Sequence, residues 1–187
     1  MRAILVALAV VYALGCHTAP PAETRIDLQA YLARTRAWAP VESEAAHTIE
    51  RIKKTQFVDE AEVLRQIADS KPRILAHLQA LRGYTPRSKE VATVHAHYIA
   101  AWERLLAGYE AIEQGFASGD YTKLARGREA MEAWRAGIVD VAQELRELMQ
   151  HFDVDASGPV ESRAREGDVP QCSTQRTKSR PCPAAIA

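Results

Sequence analysis

The strongest constraint on this chain is a row of large side chains in its third quarter. Val91, His95, Tyr98, Trp102, Leu105, Tyr109, Ile112 and Phe116 follow one another at spacings of four, three, four, three, four, three and four. A 3.5-residue period lays these groups along one seam of a helix, and such a seam must be covered by another helix. The following segment repeats the pattern: Leu124, Met131, Ile138, Leu145 and Phe152 recur every seven residues, with Trp134, Val141 and Leu148 between them. Alternation with period two is nearly absent, so the expected class is all-α.

The interruptions between periodic segments carry helix-end chemistry. Gly119 suits the left-handed position that closes a helix, and Asp120 suits the cap that opens the next. Asp59, with Glu62 three residues on, reads as a capping-box variant. Thr85 followed by Pro86 reads as an N-cap with proline at the first helical position. Pro40 and Pro72 fall inside periodic stretches, where each is expected to kink or interrupt its helix. The pattern predicts four helices over 23–55, 59–82, 86–118 and 120–152. Short connections make neighbours antiparallel, so the expected architecture is an up-down-up-down four-helix bundle over 23–152. Gly108, Gly115, Gly127 and Gly137 weaken isolated helices and suit close approach between them.

The two ends differ from this middle. Acidic and basic residues balance at 24 each, which removes the basic footprint of a nucleic-acid binder. Residues 153–187 are rich in proline and polar groups and poor in large apolar ones, so a disordered tail is expected there. At the other end, the apolar run Ala3–Leu14 is twelve residues long, behind a basic Arg2. That is too short for a membrane span, which needs roughly 20 residues, and matches an export signal over 1–15.

Ala13-Leu14-Gly15-Cys16 resembles the lipobox of bacterial lipoproteins. The class places Leu three positions before the cysteine, whereas here Ala13 stands there and Leu14 follows. The resemblance implies cleavage before Cys16, which would carry diacylglycerol and palmitate-type acyl chains and begin a short linker over 16–22. Ala13 and Gly15 also satisfy the small-x-small rule of an ordinary secretory cleavage site. Several acyl chains make a stable anchor, because each buried methylene contributes about 0.8 kcal/mol. His17, where some lipoproteins carry an inner-membrane retention Asp, implies the outer membrane if the organism is Gram-negative, facing the periplasm or the cell surface. With Cys16 acylated, Cys172 and Cys182 remain as a pair separated by nine residues. In an oxidising compartment they can form a disulfide, or else stay free thiols in the tail.

Helical bundles host metals and haem, which makes the ligand inventory relevant. A di-iron site needs two Glu-x-x-His pairs; Glu44 and His47 supply one. Cys-x-x-Cys-His and His-Glu-x-x-His are absent from the sequence. His95 and His97 are two apart, so they project about 200° apart on a helix and do not share a metal. His95, on the apolar seam, reads as a hydrogen-bonded core histidine. Tyr98, Trp102, Tyr109 and Phe116 can build a core or line a ligand cavity. Ser43, Ser70, Ser88 and Ser118 sit in no nucleophile signature. Asp153, Asp155, Ser157 and Glu161 match positions one, three, five and nine of a calcium loop, with Gly158 at six; Ala164 stands where the bidentate Glu belongs.

The expectation is therefore a non-enzymatic envelope lipoprotein without a cofactor. Its bundle serves structural or protein–protein contacts, with the membrane as one partner and another envelope protein as the second. The alternative is a ligand- or metal-binding bundle acting as sensor or carrier.

Overall fold

In a computed structural model that describes residues 21–155, four helices enclose one hydrophobic core and no strand occurs among the described residues. They are α1 (Pro21–Lys54), α2 (Glu60–Arg82), α3 (Lys89–Ser118) and α4 (Tyr121–His151). Tyr31, Trp102, Tyr98 and Tyr109 are the bulkiest fully buried side chains, so the period-3.5 seam supplies the centre of the core.

Specific side chains meet along each interface. Between α3 and α4, His97 meets Glu144, Gly137 meets Ala101, Gly108 meets Ala130 and Gly115 meets Leu124. Between α2 and α3, Lys71 pairs with Glu113 and Arg82 with Glu103, both at 2.7 Å. Trp38 lies against His77 between α1 and α2, and Tyr31 against Tyr84, two residues past the end of α2. Lys53 pairs with Glu132 and Glu50 with Arg135 between α1 and α4.

Of these interfaces, α3 on α4 is the most extensive, and it is built on small residues. A methyl group on Gly127 would stand 2.8 Å from the carbonyl oxygen of Gly108, and one on Gly108 would stand 2.9 Å from the Ala130 methyl. Neither distance is possible for a real Cβ, so glycine here permits main chain to touch main chain.

The helix ends follow the sequence in part. Gly119 adopts φ 65°, and the Asp120 carboxylate accepts from the N–H groups of Thr122 and Lys123. Asp59 accepts from the Glu62 N–H at 3.0 Å. The Glu62 carboxylate does not close the box; it engages Arg65 and Gln66. α1 is already helical at Pro21, two residues earlier than expected.

Three expectations are corrected or narrowed. Of the kink or interruption expected at Pro40 and Pro72, interruption does not occur, since each helix continues through its proline. Buried residues flank both prolines, Tyr31 and Ala45 around Pro40 and Ser70 and Ile74 around Pro72, so packing offsets the lost hydrogen bond. Thr85 and Pro86 do not open α3, which begins at Lys89. Asp27 on α1 is responsible: its Oδ2 accepts from the Arg87 N–H at 2.9 Å, the Ser88 N–H at 2.8 Å and the Ser88 hydroxyl at 2.8 Å. The cap of α3 thus comes from another helix. Third, Ile138 is only half-buried, although it sits on the seven-residue seam.

Two helix ends rely on left-handed residues other than glycine. Gln56 (φ 50°) and Phe57 (φ 60°) make the turn after α1, where the Thr55 hydroxyl donates to Ile52 O and accepts from the Phe57 N–H. Asp153 (φ 50°) ends α4, and the Val154 N–H reaches back to Met149 O at 2.9 Å. This is a Schellman-type stop, completed by burial of Val154 in the core. Ordered packing therefore continues past Phe152 into the segment read as tail. No helix among the described residues is long and apolar enough to cross a membrane.

Candidate functional site

The central part of the core is polar as well as aromatic. From α1 come Tyr31, Trp38 and Glu42; from α2, His77; from α3, His95, Tyr98 and Trp102; from α4, Trp134. All but Glu42, Trp38 and His77 are on the seams read from sequence, or, for Tyr31, fully buried beside them.

His95 is held at both ring nitrogens. Its Nε2 lies 2.9 Å from the Leu81 carbonyl, which can only accept, so Nε2 carries the proton. Nδ1 therefore accepts from the Tyr31 hydroxyl at 3.1 Å. Burial holds the His95 pKa below the usual imidazole range, with the Leu81 and Tyr84 carbonyls acting in the opposite sense. This is the hydrogen-bonded core histidine that the seam implied. His97 is exposed on the other side of α3 and pairs with Glu144 at 2.9 Å.

The second histidine has a different setting. His77 Nε2 lies 3.4 Å from the Tyr98 hydroxyl, and its ring centre is 4.4 Å from that of Trp102. Burial pushes its pKa down to about 4, so it is neutral near pH 7. Tyr98 donates its hydroxyl proton to the Glu42 carboxylate. Burial raises the Tyr98 pKa, and the Glu42 charge and hydrogen bond raise it further. Trp38 stacks near both His95 and Tyr98, at 6.1 and 5.9 Å between ring centres and 24° between planes.

Glu42 connects this network to the surface. Burial raises its carboxyl pKa, while the Tyr98 hydrogen bond opposes the shift. It lines a groove of about 330 Å³ between α1 and α4, with Ala39, Ser43 and Ala46 on one side and Trp134, Arg135, Ile138 and Val139 on the other. Arg135 is engaged by Glu50. No Lys or Arg among the described residues pairs with Glu42. The Trp134 indole N–H is buried and lacks a hydrogen-bond partner among the described residues.

A larger cavity of about 830 Å³ lies where the turn after α1 meets the start of α4. Lys53, Gln56, Phe57, Arg128, Met131 and Glu132 are among its walls. Lys53 and Glu132 pair at 2.7 Å, and the Arg128 guanidinium sits 5.4 Å from the centre of the Phe57 ring. Val58 and Tyr121, 85% and 82% exposed, belong to the same two segments.

Among the described residues, no three His, Cys, Asp or Glu side chains converge where a metal ion could sit. Glu44 bonds to Arg73, and His47 accepts or donates locally at Ser43, so the Glu-x-x-His pair is spent on surface contacts. Ser88 serves the α3 cap rather than any nucleophilic arrangement. Of the calcium-loop candidates, Asp153 makes the helix stop and Asp155 follows it; Ser157 and Glu161 lie outside the described residues, as do Cys16, Cys172 and Cys182.

Sequence reasoning missed Glu42 and His77. Neither lies on a seam of sufficient regularity, and a Glu beside Ser and Glu on α1 reads as solvated surface. No family model matches this chain, and comparison with curated proteins and with solved structures returns no match either.

Proposed function

We propose that this protein is a lipid-anchored bacterial envelope protein whose domain is an up-down-up-down antiparallel four-helix bundle used for protein–protein contact, without catalysis of its own. The paired residues along the interfaces support the antiparallel order, since residue numbers rise on one helix as they fall on its neighbour. The anchor rests on the signal and Cys16 alone.

The observation that carries the contact reading is the exposure of Val58 and Tyr121 at the end where α1 finishes. α1 has 34 residues, so this end stands about 50 Å from Pro21 at 1.5 Å per residue. A chain anchored through Cys16 holds the two most exposed large apolar groups among the described residues away from the membrane, where a second envelope protein would meet them. The buried histidines make structural hydrogen bonds: the His95 ring nitrogens face the Tyr31 hydroxyl and the Leu81 carbonyl, and His77 Nε2 faces the Tyr98 hydroxyl.

Two measurements test this. Intact mass of the membrane-extracted protein should show an acylated Cys16, and Cys16→Ser should release the domain or leave it unprocessed. Photo-crosslinking residues placed at 58 and 121 should capture one discrete envelope partner, while the same residue at exposed Arg25 should not. Membrane association unchanged in Cys16→Ser, or equal capture from all three positions, contradicts the proposal. A second reading, ligand binding, is favoured by the Glu42 groove.

A further inference from the structure

The groove between α1 and α4 combines three features. It has apolar walls in Ala46, Trp134, Ile138 and Val139. It contains one half-buried carboxylate, Glu42, that no cation among the described residues neutralises. It leaves apolar surface open to solvent, with Val139 57% exposed. A carboxylate drawn partly out of water normally sits beside a positive charge or rejects its own. Glu42 instead holds a single tyrosine hydroxyl.

We propose that this groove binds a small organic amine, with its ammonium group on Glu42 and its apolar body against Trp134, Ile138 and Val139. This deepens the ligand-binding reading and is independent of the anchor and of the distal contact surface. The chemistry follows from the walls. An anion is repelled by Glu42. A neutral apolar molecule leaves the carboxylate as poorly solvated as before. A cation supplies the missing counter-charge. Tyr98 occupies one side of the carboxylate from within, which leaves the outer side for the ligand and fixes the orientation of the acceptor. The raised pKa of Glu42 reflects the same deficit that an ammonium would remove. Size limits the occupant: about 330 Å³ is at the lower end of small-molecule sites, which run from roughly 300 to 1,000 Å³. Arg135 stands at the rim, neutralised by Glu50, and discourages a second positive charge on the ligand.

The test is titration of the full chain with phenethylamine, followed by tryptophan fluorescence and by calorimetry, with phenylpropionate and phenethyl alcohol as anionic and neutral counterparts. Saturable binding of the amine is expected, with the anion and the alcohol at least about tenfold weaker, the scale of one charged hydrogen bond. Glu42→Gln keeps an acceptor for Tyr98 and should weaken the amine by a similar factor. Val139→Lys changes an exposed position, so the fold is retained, and it too should weaken the amine by placing a positive charge at the groove. Absence of saturable binding up to about 10 mM overturns the proposal. So does equal affinity for the three probes, or amine binding that Val139→Lys leaves within twofold of the wild type. None of these outcomes bears on the distal crosslinks, so the two proposals fail separately.

Discussion

Asp27→Ala should be among the most damaging single substitutions outside the apolar core. The side chain is 4% exposed, and one oxygen, Oδ2, accepts three hydrogen bonds from the start of α3. Alanine leaves the Arg87 and Ser88 N–H groups and the Ser88 hydroxyl without that acceptor. A buried polar group stripped of its partner costs about 1–3 kcal/mol, and an ordinary N-cap about 1 kcal/mol. Three orphans sum to more than a cap, but a cavity of about 260 Å³ beside Asp27, bounded by Glu23, Ile26, Arg87 and Ser88, can admit water to some of them. The expected loss is therefore about 2–4 kcal/mol, reduced from the full sum by that hydration. Asp27→Asn should cost only about 1 kcal/mol, because an amide oxygen placed at Oδ2 keeps all three donors satisfied while losing the charge. Ser88→Ala removes one bond of the three and should fall near 1 kcal/mol. Urea denaturation of the full chain, followed by tryptophan fluorescence, gives all three values from midpoints at constant slope. A loss below about 1 kcal/mol for Asp27→Ala would mean that α3 is capped adequately by solvent, and the inter-helix cap would have to be abandoned.

Gly127→Ala should destabilise by about 1–3 kcal/mol despite the better helix propensity of alanine, because its methyl collides with Gly108 O and the Ile112 side chain; a stabilised variant in the same urea assay would show that α3 and α4 can separate freely. Trp102→Ala should cost about 3–5 kcal/mol and Ile138→Ala about 1 kcal/mol, since the first is fully buried and the second borders the groove; equal losses would contradict the observed burial. Stability should fall on acidification from the ordinary imidazole range toward about pH 4. Unfolding lets His77 take up a proton that the folded state refuses until about pH 4, so the unfolded chain binds more protons in that window. His95 acts in the same direction, while the raised pKa of Glu42 acts in the opposite one. His77→Gln should flatten the urea-midpoint profile between pH 7 and about 4; an unchanged slope would remove His77 as its source.

The four helices were legible because their cause is local. Seven-residue recurrence, Gly119, Asp120 and Asp59 act within one or two turns, and the folded chain uses each of them. What was illegible depends on distant partners. Asp27 looks like a surface aspartate until Ser88, sixty-one residues away, is folded against it. Gln56 and Phe57 occupy a conformation that glycine usually takes, so their residue types concealed the turn. Glu42 acquires its character from burial beside α4 and from Tyr98 on α3. Ile138 kept the right period but met a groove instead of a helix face, because periodicity identifies a seam without saying where its cover is incomplete.

The contact of α3 with α4 has a consequence for how this sequence can change over time. Where two helices meet through side chains, a substitution on one can be absorbed by a new rotamer on the other. At Gly108 and Gly127 part of the contact is a main-chain carbonyl oxygen, which has no rotamer to offer, beside the Ala130 methyl and the Ile112 side chain. A larger residue there costs stability for reasons of space alone. Divergence is free to accumulate on outer faces away from Val58 and Tyr121, while these glycines are held by the space around them. In descendants of this chain an invariant Gly108–Gly127 pair would look like a catalytic signature, yet it would record only that two backbones occupy neighbouring space.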